Sequence, residues 1–123
     1  VARALLVSIV DDDESVRESL PDLMMTFGFQ ARAFSSAEEF LDSGAIDSSD
    51  CLILDIGLPA MSGPDLKAEL RRRGFNPPIV FITANFDNEL RGQLLADGAV
   101  DCIFKPFSDE NLEQALAKAM GVA

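Results

Sequence analysis

The chain has 123 residues, 48% of them hydrophobic, with a formal net charge of −11 and no His. That length and apolar content suit one globular domain with a real core, while the acidity opposes binding to DNA, RNA or anionic lipid, which relies on Lys and Arg. The missing His excludes His-based general bases, most zinc sites and a phosphohistidine-carrier role, and no apolar run approaches the ~20 residues of a membrane span.

Ala4 to Val10 is a nearly continuous apolar run, as in strands buried on both faces of a parallel sheet. It ends in Asp11-Asp12-Asp13-Glu14, four acids that repel one another. Val16, Leu20, Leu23, Met24 and Phe27 then recur at helical spacing up to Gly28. Asp13 and Glu14 suit the positive start of that helix, and Pro21 inside it should kink or weaken it. Phe29 to Phe34 forms a short second strand, Ser35-Ser36-Ala37-Glu38 resembles a capping box, and a short helix carrying Phe40 and Leu41 stops at Gly44.

Cys51 to Asp55 is the third strand, an apolar run ending in one carboxylate. Unpaired, that charge would resist burial at a cost of several kcal/mol; at the mouth of a sheet it can reach water, a metal or a substrate. Asp55 is therefore the expected reactive centre. A loop punctuated by Gly57, Pro59 and Gly63 follows, and Pro64 suits the start of a helix with Leu66 and Leu70 inward, closed by Gly74. Arg71-Arg72-Arg73 fits the C-terminal end of that helix dipole better than a nucleic-acid patch. Ile79 to Thr83 is the fourth strand, Asp87 caps a helix carrying Leu90, Leu94 and Leu95, and Val100 to Phe104 is the fifth strand, ending in Lys105-Pro106. Ser108 caps the last helix, with Leu112, Leu116 and Met120 inward. Cys51 and Cys102 lie in apolar segments without CxxC spacing, which favours buried free thiols in a reducing compartment.

Strands alternate with helices five times, which predicts a parallel sheet with helices on both faces. Right-handed crossovers bring all strand ends to one edge, where such sheets bind ligands. Four strands end in polar residues: Asp11-Asp12, Asp55, Thr83 and Lys105. Three carboxylates invite a hard cation with oxygen ligands such as Mg2+, with a backbone carbonyl at Gly57 as a further ligand. An ionised carboxylate can attack phosphorus, a cation offsets the repulsion between anionic nucleophile and anionic donor, and Thr83 and Lys105 can engage phosphoryl oxygens. The plainer alternatives are that Asp11 or Asp12 caps a helix, that Thr83 is an ordinary strand residue, and that Lys105 is a structural ion-pair partner of Asp55.

At these residues the sequence resembles the receiver domain of two-component response regulators, over essentially the whole chain. The resemblance rests on Ile9-Val10-Asp11-Asp12-Asp13-Glu14, on Leu54 to Gly63, on Ile82-Thr83-Ala84 and on Phe104-Lys105-Pro106-Phe107. The wording is closest to receivers attached to LuxR-type DNA-binding domains in nitrogen-fixation regulators. The resemblance implies one receiver domain over 1–123 with a flavodoxin-like, doubly wound five-stranded sheet in the order 2-1-3-4-5 and five helices. It implies that Asp55 takes a phosphoryl group from a histidine kinase or phosphotransfer protein, that Mg2+ (or Mn2+ in its place) is held by Asp11, Asp12, Asp55 and the Gly57 carbonyl, and that Thr83 and Lys105 contact the phosphoryl group. Gly57 and Asn85, beside Ala84, fall where the family tunes phosphoryl lifetime.

A cytoplasmic signalling protein in transcription regulation is implied, catalysing only its own phosphorylation and dephosphorylation. It would act through an output domain or effector, with phosphorylation-dependent homodimerisation open to it and no direct contact with nucleic acid or membrane. The chain could be a stand-alone receiver or the excised front of a longer regulator, and the missing Met at position 1 tilts the expectation towards excision. One departure matters: the family's switch aromatic, three residues before the Lys, is Cys102 here. Switching is then expected to rely on Thr83, the loop from Ala84 to Phe86 and the fourth helix. The alternatives are a binding module of the same fold that signals without phosphorylation, an aspartate-nucleophile phosphohydrolase, and a flavodoxin-like cofactor binder. Gly57 stands where the phosphohydrolase would carry a second acid, and an acid cluster follows the first strand where the cofactor binder would have a phosphate loop.

Overall fold

The computed structural model describes residues 4–121, so positions 1–3 and 122–123 of the expected domain lie outside the described residues. Ten elements alternate along the chain: β1 Leu6–Val10, α1 Glu14–Thr26, β2 Gln30–Phe34, α2 Ala37–Asp42, β3 Cys51–Asp55, α3 Gly63–Arg72, β4 Ile79–Thr83, α4 Asn88–Ala96, β5 Asp101–Phe104 and α5 Asp109–Met120. The strands form one parallel sheet in the order β2-β1-β3-β4-β5. The three central strands are buried along their whole length, which is why their sequences are apolar runs and not alternating patterns. Edge strand β2 carries exposed and half-buried residues instead.

Side-chain alternation along the strands divides the interior in two. On one face Leu52, Leu54, Phe81 and Cys102 pack against Phe40 of α2, Leu66 and Leu70 of α3 and Leu94 of α4. On the other, Val7, Ile9, Cys51, Ile53, Val80 and Ile82 meet Leu20 and Met24 of α1 and Leu112 and Leu116 of α5. Helix α1 continues through Pro21, with Leu20 and Met24 buried on either side of it, so packing of the apolar stripe outweighs the local breaker.

The helix starts are specified locally. Asp87 and Ser108 cap α4 and α5 as expected, and the cap of α1 is Asp13, not Asp11 or Asp12; each accepts a backbone N–H of the first turn. For α2 the cap lies one residue later than the sequence pattern suggested: Ser36 accepts from Glu39 N–H, and Glu39, not Glu38, reaches back to the Ser35 N–H and hydroxyl. A full capping box that the sequence reading missed, Ser62 with Asp65, starts α3. At the other end of α3, Arg72 and Arg73 pair with Glu69, and Arg71 pairs with Asp97. Lys67 is buried, and its ammonium donates to the carbonyl of Asp97 at 2.9 Å, tying α3 to the C-terminal end of α4.

Gly63 brings α3 against the end of β3. Its N–H bonds the Ile56 carbonyl at 3.2 Å, and a Cβ at this position would lie 2.5 Å from the Asp55 carbonyl oxygen. Because backbone is the obstacle, the clash cannot be relieved by a rotamer change. Gly63→Ala is expected to destabilise the fold by about 1–3 kcal/mol, seen as a lower urea midpoint with an unchanged slope; an unaltered midpoint would show that α3 shifts freely relative to β3.

Candidate functional site at the carboxyl edge of the sheet

The parallel sheet brings the ends of β1, β3, β4 and β5 to one edge. Asp11 follows β1 and is fully buried; Asp12, beside it, is exposed. Both carboxylate oxygens of Asp11 are engaged: Oδ1 accepts the Asp13 N–H at 2.9 Å, and Oδ2 accepts from the Lys105 ammonium at 2.8 Å. The Arg17 guanidinium donates to the Asp11 carbonyl at 3.0 Å. Arg17 was not singled out in the sequence; its signal lies in helical spacing, one turn beyond the Asp13 cap.

Asp55 closes β3, opposite Ile82 of β4, and is 8% exposed. Its Oδ1 accepts the Gly57 N–H at 3.3 Å, so the loop after β3 turns back onto the carboxylate. Thr83 closes β4 nearly buried, and its Oγ1 accepts the Asn85 N–H at 3.1 Å. Thr83 pairs in register with Phe104, and the Lys105 N–H donates to the Thr83 carbonyl at 2.7 Å, which fixes Lys105 beside the acids. The Lys105–Pro106 peptide is cis. All members of the expected constellation thus converge on one crevice. Where the sequence offered Asp55 as a structural ion-pair partner for Lys105, the partner is Asp11.

The crowding has an electrostatic signature. Burial pushes the Asp55 carboxyl from its ordinary 3.8 up to about 6, and the Asp11 charge adds to this, against the opposing pull of Lys105 and the Gly57 N–H. Burial works against the charge of Lys105, but the hydrogen bond and charge of Asp11 and the charges of Asp55 and Asp13 outweigh it and raise the ammonium above its usual range. One carboxylate oxygen from each of Asp11, Asp12 and Asp55 can be chosen so that all lie within 4.8 Å of one another. Hard oxygen donors, crowded like charges and one exposed acid at the rim form a set suited to a divalent cation such as Mg2+.

Cys51 and Cys102 are both buried free thiols, as expected. Burial pushes Cys51 up to about 12 and raises Cys102 as well, so neither supplies a thiolate nucleophile. Cys102 packs in the α2–α4 core, and its carbonyl accepts from Arg91 of α4 at 2.8 Å. A cleft of about 550 Å³ opens between α1 and the segment joining β5 to α5, lined by Val16, Leu20, Leu23, Phe107 and Leu112, and shares only Lys105 with the acidic crevice. Among the described residues no helix is long and apolar enough to cross a membrane.

Comparison with known proteins agrees with this geometry. A profile of the response regulator receiver domain matches residues 7–117. Nodulation protein W of Bradyrhizobium diazoefficiens is 41% identical over 114 residues, covering 93% of this chain and 50% of that protein. Response regulator protein TodT of Pseudomonas putida is 38% identical over 121 residues, covering 98% of this chain and 53% of that protein. The chain therefore spans about half the length of these curated relatives. Among solved structures, the crystal structure of FixJ-N superposes with a TM-score of 0.84 at 34% identity, covering 98% of this chain and 96% of that one.

The raised Asp55 carboxyl means that the folded protein holds this proton more tightly than the unfolded chain does. Ionising Asp55 therefore costs stability as the pH climbs from about 4 to about 6, a penalty on the order of 2–3 kcal/mol at most once both states are ionised. Asp55→Asn is expected to raise the denaturation midpoint in chelator-containing buffer near neutral pH, and the gain should fade as the pH falls to about 4. A gain independent of pH would place its cause outside the ionisation of this carboxyl.

Proposed function

This chain belongs to the response regulator receiver domain family, a family of two-component signal transduction, and on that premise we propose that Asp55 is its phosphoacceptor. The observation that carries the assignment is the placement of a nearly buried carboxylate at the end of β3 beside a buried acid, an exposed acid and an ion-paired ammonium. We further take residues 1–123 as a single receiver domain.

An Asp55 carboxylate oxygen forms a bond to phosphorus as the P–N bond of a histidine kinase's or phosphotransfer protein's phosphohistidine breaks, and the departing imidazole takes up a proton. The nucleophile is already ionised near neutral pH, so the absence of His from this chain is no obstacle. Lys105 is poised to exchange its bond to Asp11 for one to a phosphoryl oxygen, and the Thr83 hydroxyl to turn from the Asn85 N–H and donate to another. Mg2+, or Mn2+ in its stead, would be held by Asp11, Asp12, Asp55 and the Gly57 carbonyl, and when bound supplies charge neutralisation between nucleophile and donor. Hydrolysis of the acyl phosphate by water returns Asp55, at a rate to which Gly57, Ala84 and Asn85 contribute.

The resulting dianion biases a two-state equilibrium of the domain. With buried Cys102 at the position of the family's switch aromatic, Thr83, the loop from Ala84 to Phe86 and α4 carry the change. Its recipient is an output domain or effector protein, with phosphorylation-dependent homodimerisation as one route, in the cytoplasm and in transcription regulation. A receiver fold that signals without phosphorylation would not need the Lys105–Asp11 pair beside Asp55, and nothing in the crevice favours it.

Incubation with Mg2+ and a small acyl-phosphate donor, read by intact mass, is expected to add one phosphate-sized increment to the wild type and none to Asp55→Asn, with the increment abolished by chelator. Absence of any increment, with candidate kinases present as well, would overturn the assignment. An increment that persists in Asp55→Asn would move the acceptor to another residue.

A further inference from the structure

Phe86 is exposed over 70% of its surface, in a loop that an apolar ring has no solvent-driven reason to occupy. Its ring stands 4.2 Å, centroid to centroid, from that of Phe104, tilted by 37°. Phe104 sits directly between the two groups assigned to the phosphoryl: it pairs in register with Thr83, and Lys105 is the next residue. Phe86 is likewise next to Asn85, whose N–H is held by the Thr83 hydroxyl. The stack therefore bridges the β4–α4 loop to β5 immediately outside the crevice. Phe104 also borders an open hollow of about 380 Å³ that it shares with Asn88, Arg91, Cys102, Phe107 and Asn111.

We propose that the Phe86–Phe104 stack is the latch through which occupancy of the crevice is reported to the surface of the domain. This rests on the assignment of Asp55 as phosphoacceptor. In the resting state Thr83 Oγ1 holds the Asn85 N–H, which sets the backbone that presents Phe86 to Phe104. When that hydroxyl turns to a phosphoryl oxygen, the Asn85 N–H loses its acceptor, the loop relaxes and the rings part. The stack stabilises only the resting arrangement, so by linkage it also opposes phosphorylation.

The chain has no Trp and no Tyr, so Phe86→Trp introduces a single fluorophore that keeps an aromatic face for Phe104. Mg2+ with an acyl-phosphate donor is expected to shift the emission of this variant to the red, in step with the mass increment. In Phe86→Trp combined with Phe104→Leu the emission should start at the shifted position and stay there, while the mass increment still forms. Phosphorylation by the small donor should be faster in Phe86→Ala than in wild type by roughly twofold to tenfold, the worth of one aromatic pair. The latch is overturned if the mass increment forms while emission stays fixed, or if the Phe104→Leu background responds as the parent does. An unaltered rate in Phe86→Ala would also overturn it. Loss of the mass increment itself from all variants would instead remove the phosphoacceptor assignment beneath it.

Discussion

Three carboxylates share a few ångströms of space at the edge of this sheet, and one of them has no access to solvent. Much of the surrounding local structure acts to keep that arrangement folded. Asp11 is satisfied by a backbone N–H and an ammonium, and its own carbonyl is tied by Arg17. Asp13 is exposed and caps α1, and its charge also helps to hold the Lys105 ammonium. Asp55 is left with one backbone donor and an elevated affinity for a proton, because burial and the Asp11 charge outweigh Lys105 and that donor. Sites tuned for chemistry commonly carry this sort of residual cost. A cation, or a new ligand that draws Lys105 across, finds the electrostatic work of gathering the charges already done.

The fold was legible because central parallel strands are buried on both faces and so appear as unbroken apolar runs, each stopped by a polar residue. Asp11, Asp55, Thr83 and Lys105 could be found this way, since parallel crossovers force all strand ends to one edge whatever the side chains do. Less legible was anything that depends on which polar group reaches which. Lys105 bonds Asp11 and not Asp55, a choice made by side-chain reach across three strands. Lys67 sits at a helical position that pattern alone assigns to solvent, yet it is buried with its ammonium bonded to the carbonyl and paired with the carboxylate of Asp97 at the end of α4. The α2 cap slipped by one residue because Ser35 and Ser36 are equivalent to a pattern but not to the backbone geometry.

Local signals and tertiary packing disagree at one other place. Pro21 argues for a kinked or weakened α1, and the helix runs on through it, with buried Leu20 and Met24 holding the turns on both sides. Phe86 is the converse case: a large apolar side chain in a polar loop, with a partner that only the β4–β5 register reveals. Cys102, three residues before Lys105, is buried in the α2–α4 core and bonded through its carbonyl to Arg91, so it anchors β5 to α4 without presenting a ring to the surface.

The division of the interior into two separate cores bears on how a message can leave the domain. The hydrophobic residues beneath α2, α3 and α4 belong to one cluster, and those beneath α1 and α5 to the other, with the sheet between them as a partition. The loop after β4, to which the proposed change is assigned, leads into α4, whose buried member Leu94 belongs to the first cluster. The cleft between α1 and the segment joining β5 to α5 faces the other cluster, yet Lys105 lines it as well as the acidic crevice. A protein that grips the domain there touches the very side chain whose partner the crevice decides.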